Sequence, residues 1–312
     1  MFQIRRYTPE LLTVWDRYVD TARNATFLFK RGYMDYHADR FHDHSLLFYK
    51  GNSLFAVMPA HRDADRFCTH LGLTYGGLVM NNDVTTADVV ALFAQLNDYL
   101  RSEGFASVVY KPVPWVYHRL PAEEDLYAMF WQCHPRLERR MSGTVIFLRS
   151  NLPWRKDHRR RLRLAHDSGV TVRADDSLAA FWPLLEENLE QRFAAKPVHT
   201  IEEMLLLKSR FQKEIVQYNA YIGQQIVGGI TFYVMGHVLH GQYSSTNDEG
   251  KHCGAMEAIY EQVMYHDFPH CTYLDFGTSN EEGGRILNEG LIAHKEGYGG
   301  RTVCYDTYEW SL

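Results

Sequence analysis

The same order of predicted elements occurs twice in this chain, the second time about 170 residues after the first. Alternating apolar residues between turn residues predict strands, and apolar residues spaced by three and four predict helices. Each copy consists of a two-stranded hairpin, a third strand, a helix and a last strand. In the first copy these elements are predicted, in that order, at 45–49 with 54–58, 71–80, 89–100 and 106–110. In the second copy they are predicted at 218–222 with 226–232, 237–243, 256–263 and 271–276. This order predicts a duplicated α/β unit whose substrate lies in the groove between the halves. A chance match of two ordinary α/β patterns is the alternative.

Length and composition agree with two packed units. The 312 residues exceed what one hydrophobic core usually fills, and 46% hydrophobic with 14% aromatic residues exclude disorder. The formal net charge of −5 excludes a surface that binds polyanions everywhere, so an anion site must be local. The chain has neither overall positive charge nor an aromatic pattern of the RNP kind, so we expect no DNA partner.

Two further features bear on location. The first residues, Met1–Arg6, lack the apolar run of a signal peptide, and no stretch approaches the roughly 20 apolar residues that span a bilayer. The cysteines are odd in number, far apart and without a Cys-x-x-Cys pair: Cys68, Cys133, Cys253, Cys271 and Cys304. This pattern argues against a disulfide framework and a cysteine-rich zinc site. We therefore expect a cytoplasmic protein without a membrane span.

The segment between the two copies predicts a helix over 153–168 that carries a row of arginines. A proline is placed to open it and a glycine to close it. One face carries apolar residues and His158, and the neighbouring face carries Arg155, Arg159 and Arg163 at intervals of four. Three stacked guanidinium groups suit bidentate binding of a phosphate. The alternative is an ordinary solvated face whose arginines pair with surface carboxylates.

Other helices are predicted from the residues at their starts. Thr8-Pro9-Glu10 has the capping hydroxyl, the proline and the acid of a first turn. Ser177 is expected to cap a second helix, and Thr200 with Glu203 predicts a capping box at the start of a third.

Three motifs resemble those of one protein family. Residues 160–172, which read Arg-Arg-Leu-Arg-Leu-Ala-x-x-x-Gly-Val-x-Val, resemble the Arg/Asn-x-Ile-Arg-Lys-Ala-x-x-x-Gly-Val-x-Val signature of the FemAB-like transferases. Tyr273–Gly277 resembles the Tyr-x-Asp-Phe-Gly strand end of that family, and Gly290–Gly300 resembles its Gly-Leu-x-x-Phe-Lys-x-x-Phe-Gly-Gly segment. In the first half, 33–37 and 73–79 look like segments of Bacteroides-type GNAT proteins.

FemAB-like transferases are tandem GNAT-fold proteins of the peptidoglycan-bridge type and their bacterial acyltransferase relatives. The resemblance implies an α/β fold of two tandem GNAT-like domains, each a twisted mixed sheet flanked by helices. Residues 1–150 would form the acceptor side, and 151–312 the donor and catalytic side, opened by the arginine-rich helix. The implied reaction is acyl transfer to an amine from acyl-CoA or aminoacyl-tRNA. Bridge-type members hold a nucleotide-linked sugar-peptide acceptor between the domains.

The donor loop implied by this resemblance falls within residues 249–256. GNAT domains bind phosphate with backbone N–H groups at a helix start. The matching positions are therefore expected to bind acyl-CoA: Lys251, His252, Cys253, Gly254 and Ala255. Met256 stands where the family has a small residue, and the two acids before Gly250 add negative charge. A glycine that only begins a helix is the alternative for Gly254.

Candidates for proton transfer lie at strand ends in the second half. Asp275 ends a predicted strand, and Glu281 follows in the loop beyond it, where a carboxylate is placed to meet the substrate. Tyr243, at the end of the preceding strand, is placed to polarise the acyl carbonyl or to reprotonate a leaving group. Lys295 matches the lysine of the family by position, and its apolar and glycine neighbours predict a fixed side chain with a charge-stabilising role. The alternatives are a carboxylate that caps a turn and a tyrosine at the edge of the core.

In the first half, His37, Arg40 and Tyr75 are the candidate acceptor-binding residues, because polar side chains near the Gly76-Gly77 pair can approach a ligand closely. The histidines and aspartates of residues 37–44 have the spacing of metal ligands on a strand. Clustering is unsurprising among 16 histidines, so we expect no metal. The chain has no Gly-x-Ser-x-Gly elbow, so direct transfer without a covalent intermediate is expected.

The predicted function is N-acyl transfer from acyl-CoA to an amino group of a cell-envelope sugar or sugar-peptide precursor. Aminoacyl-tRNA as the donor is the alternative within the same chemistry, because the arginine row suits tRNA phosphates. A different class is a non-catalytic module that binds a nucleotide sugar and has lost the donor loop.

Overall fold

Helices and strands alternate along the chain in the computed structural model, which describes residues 1–175 and 177–312. The strands are, in chain order, β1 (Phe2–Arg6), β2 (His42–Asp43), β3 (Leu46–Lys50), β4 (Ser53–Met58), β5 (His61–Asp63), β6 (Arg66–Cys68), β7 (Val79–Met80), β8 (Ser107–Tyr110), β9 (Arg136–Phe147), β10 (Thr171–Ala174), β11 (Ile215–Ile222), β12 (Gln225–Met235), β13 (Val238–Thr246), β14 (Tyr273–Thr278), β15 (Asn280–Glu281), β16 (Ile286–Leu287) and β17 (Arg301–Ser311). The α-helices are α1 (Leu12–Thr21), α2 (Arg31–Met34), α3 (Thr86–Ser102), α4 (Glu124–Cys133), α5 (Lys156–Asp167), α6 (Leu178–Phe193), α7 (Ile201–Arg210), α8 (Asp248–Cys253), α9 (Ala255–Gln262) and α10 (Glu289–Gly297).

The chain divides into two compact units. Unit 1 comprises Met1–Ser142, Glu282–Arg285 and Cys304–Leu312, and unit 2 comprises Gly143–Glu281 and Ile286–Val303. The chain therefore leaves unit 1 within β9 and finally returns to it within β17.

Unit 1 builds its core from α3, α4 and two sets of strands. The strands β1, β3, β4 and β7 are antiparallel neighbours in that order. In the second set, β8 pairs with β6 in parallel and with the end of β17 in antiparallel fashion. Helix α3 begins at the side-chain cap Thr85 and buries Val89, Leu92, Phe93 and Leu96 in this core. The apolar spacing of the sequence thus gives the face that packs on the strands.

Unit 2 is a sheet with helices on both faces. Its strands follow in the order β10, β11, β12, β13, β14 and residues 143–147 of β9, and the β13–β14 pair is parallel. Successive strand residues point to opposite faces. A side chain at Gly228 of β12 would meet Ala255 of α9, whereas one at Gly229 would meet Phe181 of α6. Helices α9 and α6 therefore cover opposite faces.

The hydrogen-bonded pairing of β13 with β14 is short, and the place where it ends determines where the site lies. It runs from Val238–Tyr273 to His240–Asp275. Beyond that point Tyr243 to Thr246 pairs with β12, and Thr278 pairs with Gly143 of β9. The two strands thus continue with different partners, and the sheet opens where their last pair lies.

The repeated order of elements is confirmed. The first copy is the hairpin β3–β4, then β7, α3 and β8, with the short strands β5 and β6 inserted before β7. The second is the hairpin β11–β12, then β13, the helices α8 and α9, and β14. The capping box at Thr200 and Glu203 is present with both of its hydrogen bonds. These elements have strong local signals, which is why the sequence predicts them.

Other local predictions are wrong. Within 71–80 only Val79–Met80 is a strand, because the preceding residues form turns, with His70 and Gly77 in the left-handed region of φ. Thr8 makes no side-chain cap, and a 3₁₀ turn, Pro9–Leu11, precedes α1. Ser177 likewise accepts no capping bond at the start of α6.

The arginine helix is shorter than predicted, and the polar loop is partly helical. Helix α5 begins at Lys156, because Arg155 keeps an extended backbone and donates its N–H to the carbonyl of Gly297. In the predicted polar loop after residue 243, β13 continues to Thr246 and α8 follows at once.

Candidate functional site

A groove of about 450 Å³ in unit 2 lies between α5 and α8. It is lined by seven residues, most of them basic: Arg160, Arg161, Arg163, Leu164, Asp167, Lys251 and His252. The structure thus brings together three of the sequence-predicted ligand-binding residues, Arg163, Lys251 and His252. Arg159 lies on the exposed surface of α5 outside this lining.

The other three residues of the predicted donor loop hold α5 in place. Gly254 ends α8 with φ +79°, and a Cβ there would lie 2.3 Å from the carbonyl oxygen of Arg161. Helix α5 therefore packs directly on the junction of α8 and α9. Cys253 and Ala255 are buried beside it, and burial raises the pKa of the Cys253 thiol.

The arginines of α5 differ in whether they have acidic partners among the described residues. Within the described part of the chain, Arg159, Arg160, Arg161 and Arg163 form no ion pair with a carboxylate. Arg155 does pair with Asp157, at 2.8 Å, and holds the pKa of that carboxyl down to about 2. Lys251 pairs with the exposed Asp248. The alternative of carboxylate pairing therefore holds for Arg155 but not for the groove arginines.

A buried polar cluster ties the arginine helix to its neighbours. His158 of α5 and Glu257 of α9 are 2.9 Å apart between Nδ1 and Oε1, and both are almost completely buried. The hydroxyl of Tyr298 donates to the same carboxylate oxygen at 3.2 Å. The His158 contact lowers the pKa of Glu257 against the opposing effect of burial. The face predicted to be apolar thus carries one buried polar contact, between His158 and Glu257.

Asp275 lies at the last pair of β13 and β14, on the face covered by α6. Its side chain is completely buried, and Oδ2 is 2.8 Å from Nδ1 of His240, its partner across the strands. Oδ1 accepts a hydrogen bond from the N–H of Gly277 at 2.8 Å. His240 and Asp275 therefore form one hydrogen-bonded pair across β13 and β14.

Lys295 is held against the short turn that the backbone makes within β14 after Asp275, where the register with β9 shifts. Its ammonium group donates to the carbonyl oxygens of Gly277 and Thr278, at 3.0 and 2.7 Å. Burial lowers its pKa to about 8, and the charge of Asp275 opposes this shift. Asp275, His240 and Lys295 thus surround one short turn, but Lys295 does not line the arginine groove.

The other two catalytic candidates lie apart from this turn. Tyr243 is buried, with its hydroxyl 2.5 Å from Nδ1 of His199, and burial raises its pKa to about 12. Glu281 is exposed, and its Oε1 accepts a hydrogen bond from Asn288. Neither has a contact with Asp275 in the described geometry.

In unit 1 the three acceptor candidates do not form one open site. His37 is buried and stacked on Tyr36, with ring centroids 4.2 Å apart, and Arg40 lies over the same tyrosine. Tyr75 is buried elsewhere, and its hydroxyl donates to Thr26. Among the described residues, no group of three or more histidines, cysteines and carboxylates is arranged to hold a metal ion.

The sequence reasoning missed His240. A signal was present, since Val238-Leu239-His240 and Tyr273-Leu274-Asp275 both end an apolar pair with an ionisable residue. In a parallel pairing these triplets align, which places His240 opposite Asp275.

Comparisons with known proteins bear on the fold. Residues 154–283 match the model of the acetyltransferase (GNAT) domain family. The fold is similar to that of FemX, with 11% identity, a TM-score of 0.70 and coverage of 99% of this chain and 97% of that one. It is also similar to L-PGS from Bacillus licheniformis, with 11% identity, a TM-score of 0.63 and coverage of 98% and 92%. A tandem GNAT protein from the clavulanic acid biosynthesis pathway matches with 11% identity, a TM-score of 0.52 and coverage of 100% and 98%. No curated protein matches the sequence.

The fold and the site thus define a tandem GNAT-fold protein. Residues 154–283, which contain both the groove and the His240–Asp275 pair, are its acetyltransferase-type domain. This domain makes the chain a GNAT-type acyltransferase, and FemX has a similar fold. Among the described residues, no helix is long and apolar enough to cross a membrane.

Proposed function

We propose that this acyltransferase takes its acyl group from acyl-CoA and transfers it to an amino group of a cell-envelope sugar or sugar-peptide precursor. The observation that carries the donor assignment is the groove between α5 and α8. It places arginines without acidic partners beside Lys251 in a chain of net charge −5. Guanidinium and ammonium groups in such a groove favour a phosphorylated ligand.

The distance from this groove to His240 suits a donor with a long arm. Residues 240–246 of β13 separate the His240–Asp275 pair from the start of α8, which is about 20 Å of extended strand. In acyl-CoA the phosphates are separated from the thioester by an extended arm. The opening between β13 and β14 supports a path for that arm, because the backbones there have different partners.

The chemistry requires a neutral amine that attacks the thioester carbonyl. We assign His240 as the base that accepts the proton of the amine at Nε2, with Asp275 stabilising the imidazolium. The new C–N bond forms, the C–S bond breaks, and the departing thiolate takes up a proton. Lys295 fixes the turn beyond Asp275 and supplies positive charge near the oxyanion.

The donor assignment is tested by titrating the full chain with acetyl-CoA in a calorimeter. Arg163→Gln and Lys251→Gln are each expected to weaken binding about tenfold, because each removes a charge-assisted contact. The affinity of the wild type should also fall as salt rises. Arg101→Gln is the matched control, since Arg101 is an exposed arginine of α3 paired with Asp98. Equal affinities in all four proteins would contradict the proposal.

One observation favours aminoacyl-tRNA as the second candidate donor. Arg159 is exposed without an acidic partner among the described residues and lies outside the groove, so the cationic surface of α5 extends beyond a small ligand. Arg159→Gln should leave acetyl-CoA affinity unchanged but weaken retention of charged tRNA. Binding of tRNA without binding of acetyl-CoA would establish this alternative. Binding of a nucleotide sugar alone would indicate the non-catalytic module.

The proposal places the acceptor on unit 1 and the protein in the cytoplasm. Free thiols on all five cysteines support a reducing compartment. Activity on amino sugars, compared with the same sugars N-acetylated, tests the acceptor class, because the acetylated compounds lack the attacking amine.

A further inference from the structure

Unit 1 contains a half-enclosed pocket of about 340 Å³. It lies over β8 and the neighbouring parts of β9 and β17, and of the three acceptor candidates only Tyr75 is in its lining. Its charged lining consists of Arg66, Lys111, Glu138, Arg139, Asp306 and Glu309. This volume is enough for a small organic molecule.

The three acids of the lining already have cationic partners outside it. Arg140 binds Asp306 through two hydrogen bonds of 2.7 Å. Arg136 lies 2.9 Å from Glu138 and 2.7 Å from Glu309. On the cationic side, Arg66 is paired with Asp63.

Lys111 and Arg139 are the cations that remain. Neither forms an ion pair with a carboxylate within the described part of the chain. Both side chains line the same pocket. Burial lowers the pKa of Lys111 to about 8, and the positive charge of Arg139 acts in the same direction. Two adjacent positive charges without a counter-ion repel each other, and a bound anion would relieve that repulsion.

Lys111 is held in place at both its backbone and its side chain. Its N–H donates to the hydroxyl of Thr69 at 2.8 Å, and its carbonyl accepts from Gly76 at 2.8 Å. The ammonium group donates to the carbonyl of Leu73. An ammonium group has three donors, so two are left for a ligand.

Arg139 is directed by a glycine turn. A Cβ at Gly284, whose φ is +101°, would lie 2.8 Å from Cγ of Arg139 and 3.1 Å from its Cδ. The stem of the arginine therefore occupies the space that a side chain at residue 284 would need. This contact fixes the direction of the stem and leaves the guanidinium group exposed.

We propose that this pocket binds an organic oxyanion, a carboxylate or a phosphate, between Lys111 and Arg139. A guanidinium group binds either oxyanion through two parallel hydrogen bonds, and the ammonium group adds a point charge. Leu71, Pro112 and Met141 line the same pocket and offer apolar contact to the carbon part of the ligand. The site lies wholly within unit 1 and does not depend on the acyl donor.

Calorimetric titration of the full chain with phenyl phosphate, benzoate and benzamide tests the site. The two anions share an aromatic ring with the neutral amide, so the comparison isolates the charge. At least one anion should bind, benzamide should bind at least about tenfold more weakly, and Lys111→Met and Arg139→Gln should each weaken the anion about tenfold. Arg101→Gln should leave the affinity unchanged.

The outcomes separate the ligand sources and the competing sites. Preference for phenyl phosphate assigns a phosphate ligand, and preference for benzoate assigns a carboxylate. Equal affinity for benzamide would overturn the proposal, because the pocket would then bind the ring alone. Loss of binding in Arg163→Gln with unchanged binding in Arg139→Gln would move the anion to the groove of unit 2 and also overturn it. If Lys111→Met does not fold, the titration of Arg139→Gln still decides the result, because Arg139 is exposed.

Discussion

Asp275 is a buried carboxylate with a donor at each oxygen, and this arrangement determines what its neighbours can do. Gly277 and His240 supply those donors at 2.8 Å each. In the proposed mechanism the carboxylate accepts a hydrogen bond from Nδ1 of His240 and so leaves Nε2 to take the proton of the amine. The proposed mechanism therefore makes Asp275 a positioning residue and assigns proton acceptance to its neighbour His240, whereas the sequence alone makes Asp275 a candidate for proton transfer.

Asp275→Asn tests that division of roles. The amide keeps the shape of the carboxylate but cannot stabilise an imidazolium, so kcat for amide formation should fall by about 10²- to 10⁴-fold. His240→Asn should cost a similar factor, and the double variant should lose little more, because the pair acts as a unit. Steady-state rates of the three variants give the measurement.

Glu281→Gln is the control for this series. Glu281 is exposed and bonded to Asn288, so its loss should leave kcat within about twofold of the wild type, as surface changes usually do. A larger loss in Glu281→Gln than in Asp275→Asn would return Glu281 to the catalytic role predicted from the sequence.

The buried ammonium group of Lys295 should make stability depend on pH. Its pKa is lowered from 10.5 to about 8, so between these values the unfolded chain binds more protons than the folded one. Stability therefore rises with pH across that window, and the cost of burying the charge is fully present below about pH 8. Across this pH window the free energy of unfolding of the wild type, compared with that of Lys295→Met, should rise by on the order of 1–3 kcal/mol.

Urea unfolding of both proteins at the two ends of the window measures the difference. Lys111 has the same lowered pKa, but it is common to both proteins and cancels. A difference that stays constant with pH would show that Lys295 titrates as it does in the unfolded chain.

At the scale of elements, the sequence predicts those helices whose formation depends on residues close to one another in the chain. The capping box at Thr200 and the apolar spacing of α3 need no information from distant residues, and both are confirmed. The turns within 71–80 depend on distant contacts, such as that of Gly72 with His37 and Phe41. The groove and the His240–Asp275 pair likewise depend on packing and strand register, which spacing along one element does not contain.

Gly254 shows how one such contact positions the arginine helix. Gly254→Ala should destabilise the protein by about 2–5 kcal/mol, since the methyl group adds a clash with the backbone of Arg161 to the strain of a positive φ. It should also weaken acetyl-CoA binding, because α5 must move. Thermal or urea unfolding together with calorimetry provides both readouts.

Gly169→Ala is the matched comparison. Gly169 has φ +68° but nothing within 4 Å of its Cβ position, so it isolates the conformational cost, which is about 1 kcal/mol. Equal destabilisation by the two substitutions would mean that Gly254 serves only as a turn residue, and α5 would not depend on it.

At the scale of the whole molecule, the path of the chain determines which residues belong to unit 1 and which to unit 2. The predicted domains, 1–150 and 151–312, remain a prediction about the duplicated unit. By spatial contact, however, the last nine residues belong to unit 1. Tyr308–Ser311 pairs with β8, and Trp310 lies in the core of that unit, with Nε1 donating to Asn97 at 3.1 Å. The sequence pattern did not reveal this return, because the strand completes a sheet that began some 200 residues earlier.

Trp310→Ala should therefore destabilise unit 1, although the residue lies far beyond its other elements in sequence. Loss of a buried tryptophan costs about 3–5 kcal/mol, and amide hydrogen exchange should quicken in α3 and β8, which contact it. Glu309→Gln on the same strand removes only an exposed ion pair with Arg136 and should cost less than about 1 kcal/mol. If the two variants unfold alike and exchange in β8 is unchanged, the terminal strand is not part of the core of unit 1, and a chain cut at residue 150 would be expected to retain a complete first unit.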